Sequence, residues 1–206
     1  MLKIKHIVFD LDGTLIETKD LHKDALNIAL TRNGLNAISE EDHKKSYCGL
    51  PTKMKLIRHI GEDHPKFKNV LKDKQDLTEL LLEKENFYDF TPLLTKLKDT
   101  GMKIGIASNA VRRSVDLMLA KCCPEFEFDI VMSNEDVVKS KPAPDMYVEI
   151  AKAWEIYPQE IVVVEDKFEI GVKSAIDAGC LVCLTKGIEE TKDIITYIIV
   201  NSQEIV

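Results

Sequence analysis

Five short apolar runs, separated by longer helical patterns, constrain the fold of this chain more than any other feature. Each run is rich in Val, Ile or Leu and closes with polar residues, and the runs cover 4–10, 103–108, 130–133, 161–165 and 180–185. Helical patterns at 114–121, 143–154 and 168–178 lie between them. This alternation is typical of a parallel sheet with crossover helices. We therefore predict an α/β, doubly wound, Rossmann-like core whose chemistry lies at the carboxyl ends of the strands.

The segment between the first two apolar runs breaks the alternation. It lacks convincing strands and carries helical patterns of charged and apolar residues at 19–33, 52–60 and 66–87. Because it leaves the core after the first strand and returns before the second, we interpret it as an inserted, all-helical cap over the active edge. The predicted domains are a catalytic core of residues 1–16 and 89–206, and a cap of residues 17–88.

Composition excludes several classes of partner. The chain has 206 residues, of which 45% are hydrophobic, so it can bury a real core. A formal net charge of -7 argues against a nucleic-acid binder, which needs clustered Lys and Arg. The apolar stretch 194–200 is far shorter than the roughly 20 residues of a membrane helix and is expected to be a buried strand or helix. We therefore expect a small-molecule substrate, no nucleic-acid or membrane partner, and a monomer or weak dimer.

The N-terminus and the cysteines both favour a cytoplasmic protein. The chain enters an apolar strand directly, with neither a signal-peptide apolar region nor a small-residue cleavage site. The cysteines are odd in number and lack the spacing of a secreted disulfide framework, so reduced thiols are expected at Cys48, Cys122, Cys123, Cys180 and Cys183. The last two have CxxC spacing but lie in a predicted strand, where residues three apart point to opposite faces.

Two carboxylates follow the first apolar run, at Asp10 and Asp12, and Gly13 then allows the chain to turn. Crowded carboxylates repel each other unless a cation intervenes, since unit charges ~4 Å apart interact by roughly 4 kcal/mol at an effective dielectric of about 20. Magnesium prefers such oxygen ligands and completes its shell with water and substrate phosphate. The alternative is that both residues only form the turn and cap the following segment.

Three further motifs follow in order, and with the first they resemble the haloacid dehalogenase superfamily over nearly the whole chain. The second motif is Ser108-Asn109 at the end of an apolar run, the third is Lys141-Pro-Ala-Pro144, and the fourth is Glu165-Asp166 at another strand end. The prolines of the third motif fix the backbone at the start of a helix and so hold Lys141 at a rigid bend.

The resemblance implies a phosphoryl-transfer mechanism with named catalytic residues. Asp10 is then the nucleophile that forms an aspartyl-phosphate, and Asp12 protonates the leaving oxygen and later activates water. Ser108 and Lys141 bind the transferring oxygens, and Asn109 is a substrate-binding residue. Such catalysis depends mainly on positioning and on neutralising oxygen charge.

The resemblance also implies a magnesium site. Asp10, the backbone carbonyl of Asp12, and Asp166 would hold Mg2+, with assistance from Glu165. This chain has Lys167 where the related subfamily usually has Ser after the acidic pair. Lys167 is expected to pair with Glu165 or to contact the substrate phosphate, and its charge is expected to weaken metal binding.

Within the superfamily, the cap and residues 140–146 look most like the β-phosphoglucomutase and phosphatase-like subfamily. His22, in the segment 18–26, is similar to a cap histidine that can contact substrate or Asp12. The alternative is a solvated histidine on a helix face. Gly49 and Thr52 lie in a segment that resembles the substrate-specificity loop. In the mutase, however, a lysine precedes that glycine and an arginine follows three positions later, whereas this chain has Cys48 and Thr52.

These departures favour a phosphomonoester phosphatase acting on a small phosphorylated metabolite, such as a sugar phosphate, over a β-phosphoglucomutase-like mutase. Lys53 and Lys55 are close enough to Thr52 to replace the missing cations, so the mutase stays the alternative. A response-regulator receiver is a third possibility, but receivers lack the second aspartate and the cap. A dehalogenase is disfavoured because carbon-halogen cleavage needs neither Asp12 nor a metal.

Overall fold

The parallel sheet predicted from the sequence is present. The computed structural model describes residues 5–47 and 50–203. Within these residues the strands are β1 His6–Phe9, β2 Lys103–Ala107, β3 Ile130–Met132, β4 Ile161–Glu165 and β5 Leu181–Leu184. They form one five-stranded sheet of order β3-β2-β1-β4-β5, in which every neighbouring pair is parallel. The chain therefore has an α/β, Rossmann-like fold.

The register of the sheet brings the polar strand ends together. Phe9, the last residue of β1, pairs with Ile106 on β2 and with Val164 on β4. Ile7, Val8 and Phe9 are completely buried, as expected for the central strand of a sheet covered on both faces. The residues that follow β1, β2 and β4 must then lie at one edge.

The helices, in chain order, flank this sheet or form the segment between β1 and β2. They are α1 Lys19–Arg32, α2 Glu40–Asp42, α3 Thr52–Ile60, α4 Phe67–Lys84, α5 Thr91–Lys98, α6 Arg112–Cys122, α7 Asp145–Ala153, α8 Lys173–Ala178 and α9 Ile188–Gln203. Short π-helical turns at His43–Tyr47 and Phe168–Val172 and a 3-10 turn at Pro158–Glu160 complete the described secondary structure.

The chain divides into two compact units. One, the core unit, contains Met1–Glu17 and Phe87–Val206, and the other, the helical unit, contains Thr18–Asn86. The helical unit has its own apolar core, in which α1 packs against α4. The buried side chains of α1 follow a helical spacing and are Ala25, Leu26, Ala29 and Leu30. The function of this unit as a cap stays a prediction.

Two sequence expectations need correction. Residues 194–200 belong to α9 but are not a buried segment, since Tyr197 is 70% and Val200 54% exposed and Ile195 is the fully buried apolar residue there. The predicted helix 168–178 is a π-helical turn followed by the short α8. No helix in the described parts of the chain is long and apolar enough to cross a membrane.

Candidate active site

The loop after β1 is held in a tight turn. The backbone N–H of Asp10 donates to the carbonyl of Val164 at 2.9 Å, which continues the pairing of β1 with β4. Gly13 then takes a φ of +94°, a conformation that favours glycine, and its N–H donates to the carbonyl of Ile16 at 2.7 Å. The turn thus fixes the backbone on which Asp10 and Asp12 stand.

Lys141 links two acids at this edge of the sheet. Its Nζ lies 2.8 Å from Oδ1 of Asp10 and 2.7 Å from Oε2 of Glu165, and its side chain is only 2% exposed. The ammonium also lies 5.3 Å from the ring centroid of Tyr147 on α7. Removing one partner of a buried ion pair typically costs about 3–5 kcal/mol because the remaining charge is left uncompensated.

The electrostatics of Lys141 and Asp10 reflect this crowding. Burial lowers the pKa of Lys141, but the carboxylates of Asp10 and Glu165 raise it, and the net pKa lies well above the usual value. Lys141 is therefore charged at neutral pH. Burial and the nearby charge of Glu165 raise the pKa of Asp10 well above its ordinary value, although Lys141 opposes this. A single ammonium therefore does not fully compensate these two carboxylates.

Asp166 offers a buried oxygen atom to a cation. Its Oδ1 is buried and has no hydrogen-bond partner, whereas its Oδ2 pairs with the ammonium of Lys167. Burial raises the pKa of Asp166 to about 6, against the opposing effect of Lys167, and Glu165 and Asp12 add to the increase. The structure thus brings Asp12 into the electrostatic environment of Asp166.

Three acids can together hold a metal. Ligand atoms of Asp10, Glu165 and Asp166 lie within 4.8 Å of one another, and we call these residues the acidic cluster. A buried carboxylate oxygen without a hydrogen-bond partner is costly unless a cation or water satisfies it. The oxygen donors of the cluster suit a hard divalent cation. The site therefore fits a metal.

Glu165 has contacts at both of its carboxylate oxygens. Oε2 accepts from Lys141, and Oε1 accepts from the backbone N–H groups of Asp166 and Lys167, both at 3.1 Å. A Cβ at Gly171 would overlap with this carboxylate. Because Gly171 has no side chain, the π-helical turn leaves room for the carboxylate of Glu165. These contacts orient Glu165 toward Lys141, a function that the sequence did not predict.

The second motif lies beside the third, and it supports Lys141. Ser108 is buried, its N–H donates to the carbonyl of Met132 at 2.9 Å, and its Oγ accepts from the N–H of Ala110 at 3.1 Å. The side-chain amide of Asn109 donates to the backbone carbonyl of Lys141 at 3.0 Å. This hydrogen bond gives Asn109 a structural function, and substrate binding by Asn109 stays a prediction.

Asn134 extends this support, and no motif in the sequence pointed to this residue. Its side-chain amide donates to the backbone carbonyl of Asn109 at 2.9 Å. A chain of amide hydrogen bonds therefore runs from Asn134 through Asn109 to the Lys141 backbone, while the Lys141 ammonium points to the acids.

The remaining predicted site residues belong to the helical unit or lie outside the described residues. His22 lies on α1, and its Nδ1 is 3.2 Å from Nζ of Lys74 on α4. Burial, Lys74 and Lys55 all lower the pKa of His22 well below its usual value. Thr52 is the first residue of α3. Gly49 lies outside the described residues, so substrate binding by all three stays a prediction.

Comparisons with known proteins agree with the fold. Residues 7–185 match the haloacid dehalogenase-like hydrolase family. A phosphorylated carbohydrates phosphatase of Thermotoga maritima is 26% identical over 84% of this chain and 81% of its own length. The β-phosphoglucomutase of Bacillus subtilis is also 26% identical, over 85% of this chain and 80% of its own.

A solved structure has the same fold. The crystal structure of CbbY from Rhodobacter sphaeroides in complex with phosphate superposes with a TM-score of 0.75, covering 88% of this chain and 87% of the other at 24% identity. The family match spans all four motifs, including the residues of the acidic cluster and Lys141. The chain therefore belongs to the haloacid dehalogenase-like hydrolases.

Proposed function

We propose that this protein is a Mg2+-dependent phosphomonoester phosphatase that acts on a small phosphorylated metabolite, a sugar phosphate, through an aspartyl-phosphate intermediate. The observation that carries the proposal is the position of Asp10, a buried carboxylate at a strand end with the Lys141 ammonium at 2.8 Å and the unpartnered Oδ1 of Asp166 in the same cluster. A nucleophile beside fixed positive charge is what phosphoryl transfer requires.

In the first step, a carboxylate oxygen of Asp10 attacks phosphorus as the bond from phosphorus to the ester oxygen breaks. Oδ1 of Asp10 accepts from Lys141, which leaves Oδ2 for the attack. Asp12, two residues further along the tight turn, donates a proton to the leaving alcohol. Lys141 stays protonated and stabilises the charge that develops on the phosphoryl oxygens.

In the second step, Asp12 accepts a proton from water as the water oxygen attacks the phosphorus of the aspartyl-phosphate. The bond between phosphorus and the Asp10 oxygen breaks, and inorganic phosphate and the Asp10 carboxylate are released. The proton that Asp12 gave to the alcohol is thereby recovered from water, so the enzyme returns to its starting state.

Mg2+ would be held by Asp10, Asp166 and the backbone carbonyl of Asp12, with Glu165 assisting. When bound, it supplies positive charge to the phosphoryl oxygens and to the crowded carboxylates. Glu165 already accepts hydrogen bonds at both oxygens, so its main function in this proposal is to orient Lys141.

The choice of a sugar phosphate is supported by the Thermotoga maritima relative, which is named a phosphorylated carbohydrates phosphatase. We further propose that the helical unit acts as the cap over the active edge, with His22, Gly49 and Thr52 as substrate-binding residues. Cytoplasmic residence and a monomeric or weakly dimeric state are part of the same proposal.

A sugar-phosphate mutase is the second candidate, favoured by the Bacillus subtilis relative. The two lysines that could replace the missing mutase cations differ in their surroundings. Lys53 is 61% exposed and pairs with Glu62 at 3.0 Å, whereas Lys55 is only 9% exposed and lowers the pKa values of both His22 and His43. An exposed lysine already paired with an acid is a weak anchor for a second phosphate. Lys55 alone is then left to replace the two missing mutase cations, so the phosphatase is preferred.

The test is a panel of sugar phosphates and other phosphomonoesters, with Mg2+ and with excess chelator, followed by release of inorganic phosphate. We expect metal-dependent hydrolysis that Asp10→Asn abolishes, while the exposed Asp116→Asn control keeps full activity. Full activity in chelator, or turnover by Asp10→Asn above a few per cent, contradicts the proposal.

A second assay separates the two candidates. β-Glucose 1-phosphate is supplied with catalytic glucose 1,6-bisphosphate, and glucose 6-phosphate and free phosphate are both followed. Glucose 6-phosphate forming much faster than phosphate would favour the mutase instead.

A further inference from the structure

Lys167 places a second ammonium group at the acidic cluster. It immediately follows Asp166 at the end of β4, and its Nζ forms an ion pair with Oδ2 of Asp166. The side chain of Asp166 is 9% exposed and that of Lys167 is 34% exposed. The sequence suggested a pair with Glu165, whereas the structure pairs the Lys167 ammonium with Asp166 and places the backbone N–H of Lys167 3.1 Å from Oε1 of Glu165.

The Asp166 carboxylate is confined on its other side by the turn after β1. A Cβ at Gly13 would overlap with Oδ2 of Asp166, so this glycine lets the carboxylate lie directly against the backbone. Oδ1 is buried and has no hydrogen-bond partner. Asp166 therefore has one oxygen committed to Lys167 and one oxygen available to a cation.

We propose that Lys167 is a built-in competitor of the divalent cation at Asp166 and lowers the affinity of the site for Mg2+. This inference rests on the metal site of the proposed function. The ammonium already compensates part of the negative charge that would otherwise attract the metal, and it repels a second cation brought to the same carboxylate. The protein thus needs a higher Mg2+ concentration than the same site without Lys167.

The charges around the cluster agree with this effect. Four carboxylates face two ammonium groups, and the groups are Asp10, Asp12, Glu165, Asp166, Lys141 and Lys167. Lys141 is almost fully buried and bridges two acids, so its charge is a fixed part of the site. Lys167 is partly exposed and pairs with Asp166, so its loss removes one positive charge without breaking the bridge that Lys141 forms between Asp10 and Glu165.

The test is direct measurement of Mg2+ binding by calorimetry, without substrate, on the parent protein and five variants. Lys167→Met keeps the length of the side chain and removes its charge, and we expect it to bind Mg2+ about fivefold more tightly, as for a partly exposed ion pair. Lys167→Arg keeps the charge and should bind as the parent does. Lys173→Met is the matched control, since Lys173 is an exposed lysine that pairs with Asp177 on α8.

Equal or weaker Mg2+ binding by Lys167→Met overturns the inference, because Lys167 would then only order Asp166. Lys167→Ser provides a second neutral variant if Lys167→Met has a lowered thermal unfolding temperature, and the same tighter binding is expected of it. Asp166→Asn separates this inference from the proposed function. One outcome contradicts the inference alone: the parent binds Mg2+, Asp166→Asn does not, and the neutral Lys167 variants bind Mg2+ with the affinity of the parent. The metal site of the proposed function then stands. If neither the parent nor any variant binds Mg2+, both fail.

Discussion

The ammonium of Lys141 lies 2.8 Å from Oδ1 of Asp10, although 131 positions separate the two residues in the chain. Asp10 directly follows β1 of the sheet, and Lys141 lies shortly before α7. The backbone carbonyl of Lys141 also accepts a hydrogen bond from the side-chain amide of Asn109. The proposed nucleophile and its counter-ion are therefore positioned by the fold before any substrate binds, which is the preorganisation that electrostatic catalysis depends on.

Loss of the Lys141 charge should damage both turnover and stability. We expect Lys141→Met to lower kcat by at least about 100-fold, because a fixed charge at the transferring oxygens is removed. The same change should lower the free energy of unfolding by about 3–5 kcal/mol, since Asp10 and Glu165 then remain buried together without their cation. Steady-state kinetics and urea unfolding measure the two effects.

The exposed neighbour Lys139 provides the control for Lys141. Lys139→Met should change neither quantity appreciably. Retention of more than a tenth of the parent activity by Lys141→Met would show that its charge is not needed at the transferring oxygens.

Replacement of Asp12 should separate the two chemical steps. In Asp12→Asn the leaving alcohol is no longer protonated and water is no longer activated, so steady-state turnover should be almost lost. A substrate with a good leaving group can still phosphorylate Asp10 slowly, and the aspartyl-phosphate should then accumulate. Mass spectrometry of the quenched protein detects this adduct on the peptide that contains Asp10.

The double variant with Asp10→Asn gives the control for that experiment, because it lacks the accepting carboxylate. An adduct of equal yield in the double variant would place the phosphoryl group on another residue.

The positions of the proposed site residues could be predicted because they depend on strand ends. Asp10, Ser108 and Glu165 each follow an apolar run or close it, and a parallel register brings such ends to one edge of the sheet. The strand pattern alone therefore placed the main residues of the site together. The start of α7 after Pro144 was likewise foreseeable, since proline suits the first turn of a helix.

The contacts that orient these residues could not be predicted in the same way. The hydrogen bonds from Asn134 to Asn109 and from Asn109 to Lys141 join loops 25 and 32 positions apart. Hydrogen bonds between loops leave no periodic pattern in a sequence. The π-helical turn at Phe168–Val172 was missed for a related reason, because its apolar residues resemble those of an ordinary helix while Gly171 accommodates the Glu165 carboxylate.

Metal binding should weaken in acid because of Asp166. Its pKa is raised to about 6, so the carboxyl group is largely protonated below that pH and ionised above it. A protonated carboxyl is a poor ligand, and Mg2+ must displace the proton to bind. We expect the Kd for Mg2+ to be about tenfold higher at pH 5 than at pH 7.

Calorimetry in buffers of different ionisation enthalpy should also detect proton release on Mg2+ binding near pH 5.5. A Kd that is constant from pH 7 to pH 5 would contradict the assignment of Asp166 as a ligand. Asp145→Asn, which changes an acid at the start of α7 outside the acidic cluster, is the control and should leave the pH dependence unaltered.

Lys74 should control the protonation of His22 within the helical unit. The pKa of His22 is lowered by burial first and then by the charges of Lys74 and Lys55, and Nζ of Lys74 lies 3.2 Å from the ring. Lys74→Met removes one of these charges, so the pKa of His22 should rise toward its ordinary value of about 6.5. Titration of the His22 ring signals by NMR measures the shift.

The same depressed pKa makes the stability of the helical unit depend on pH. His22 is neutral in the folded protein, whereas in the unfolded chain it takes up a proton as the pH falls below about 6.5. The unfolded state then binds more protons, so the contribution of His22 to stability is fully present above that pH and is lost as the pH decreases through the lowered pKa.

Hydrogen exchange of α1 amides should therefore accelerate as the pH decreases below 6.5, after correction for the intrinsic exchange rate. Lys74→Met should reduce this dependence, and Lys72→Met, which removes an exposed lysine of α4 paired with Asp76, should not. An unchanged His22 titration in Lys74→Met would show that the charge of Lys74 does not contribute to the lowered pKa of His22.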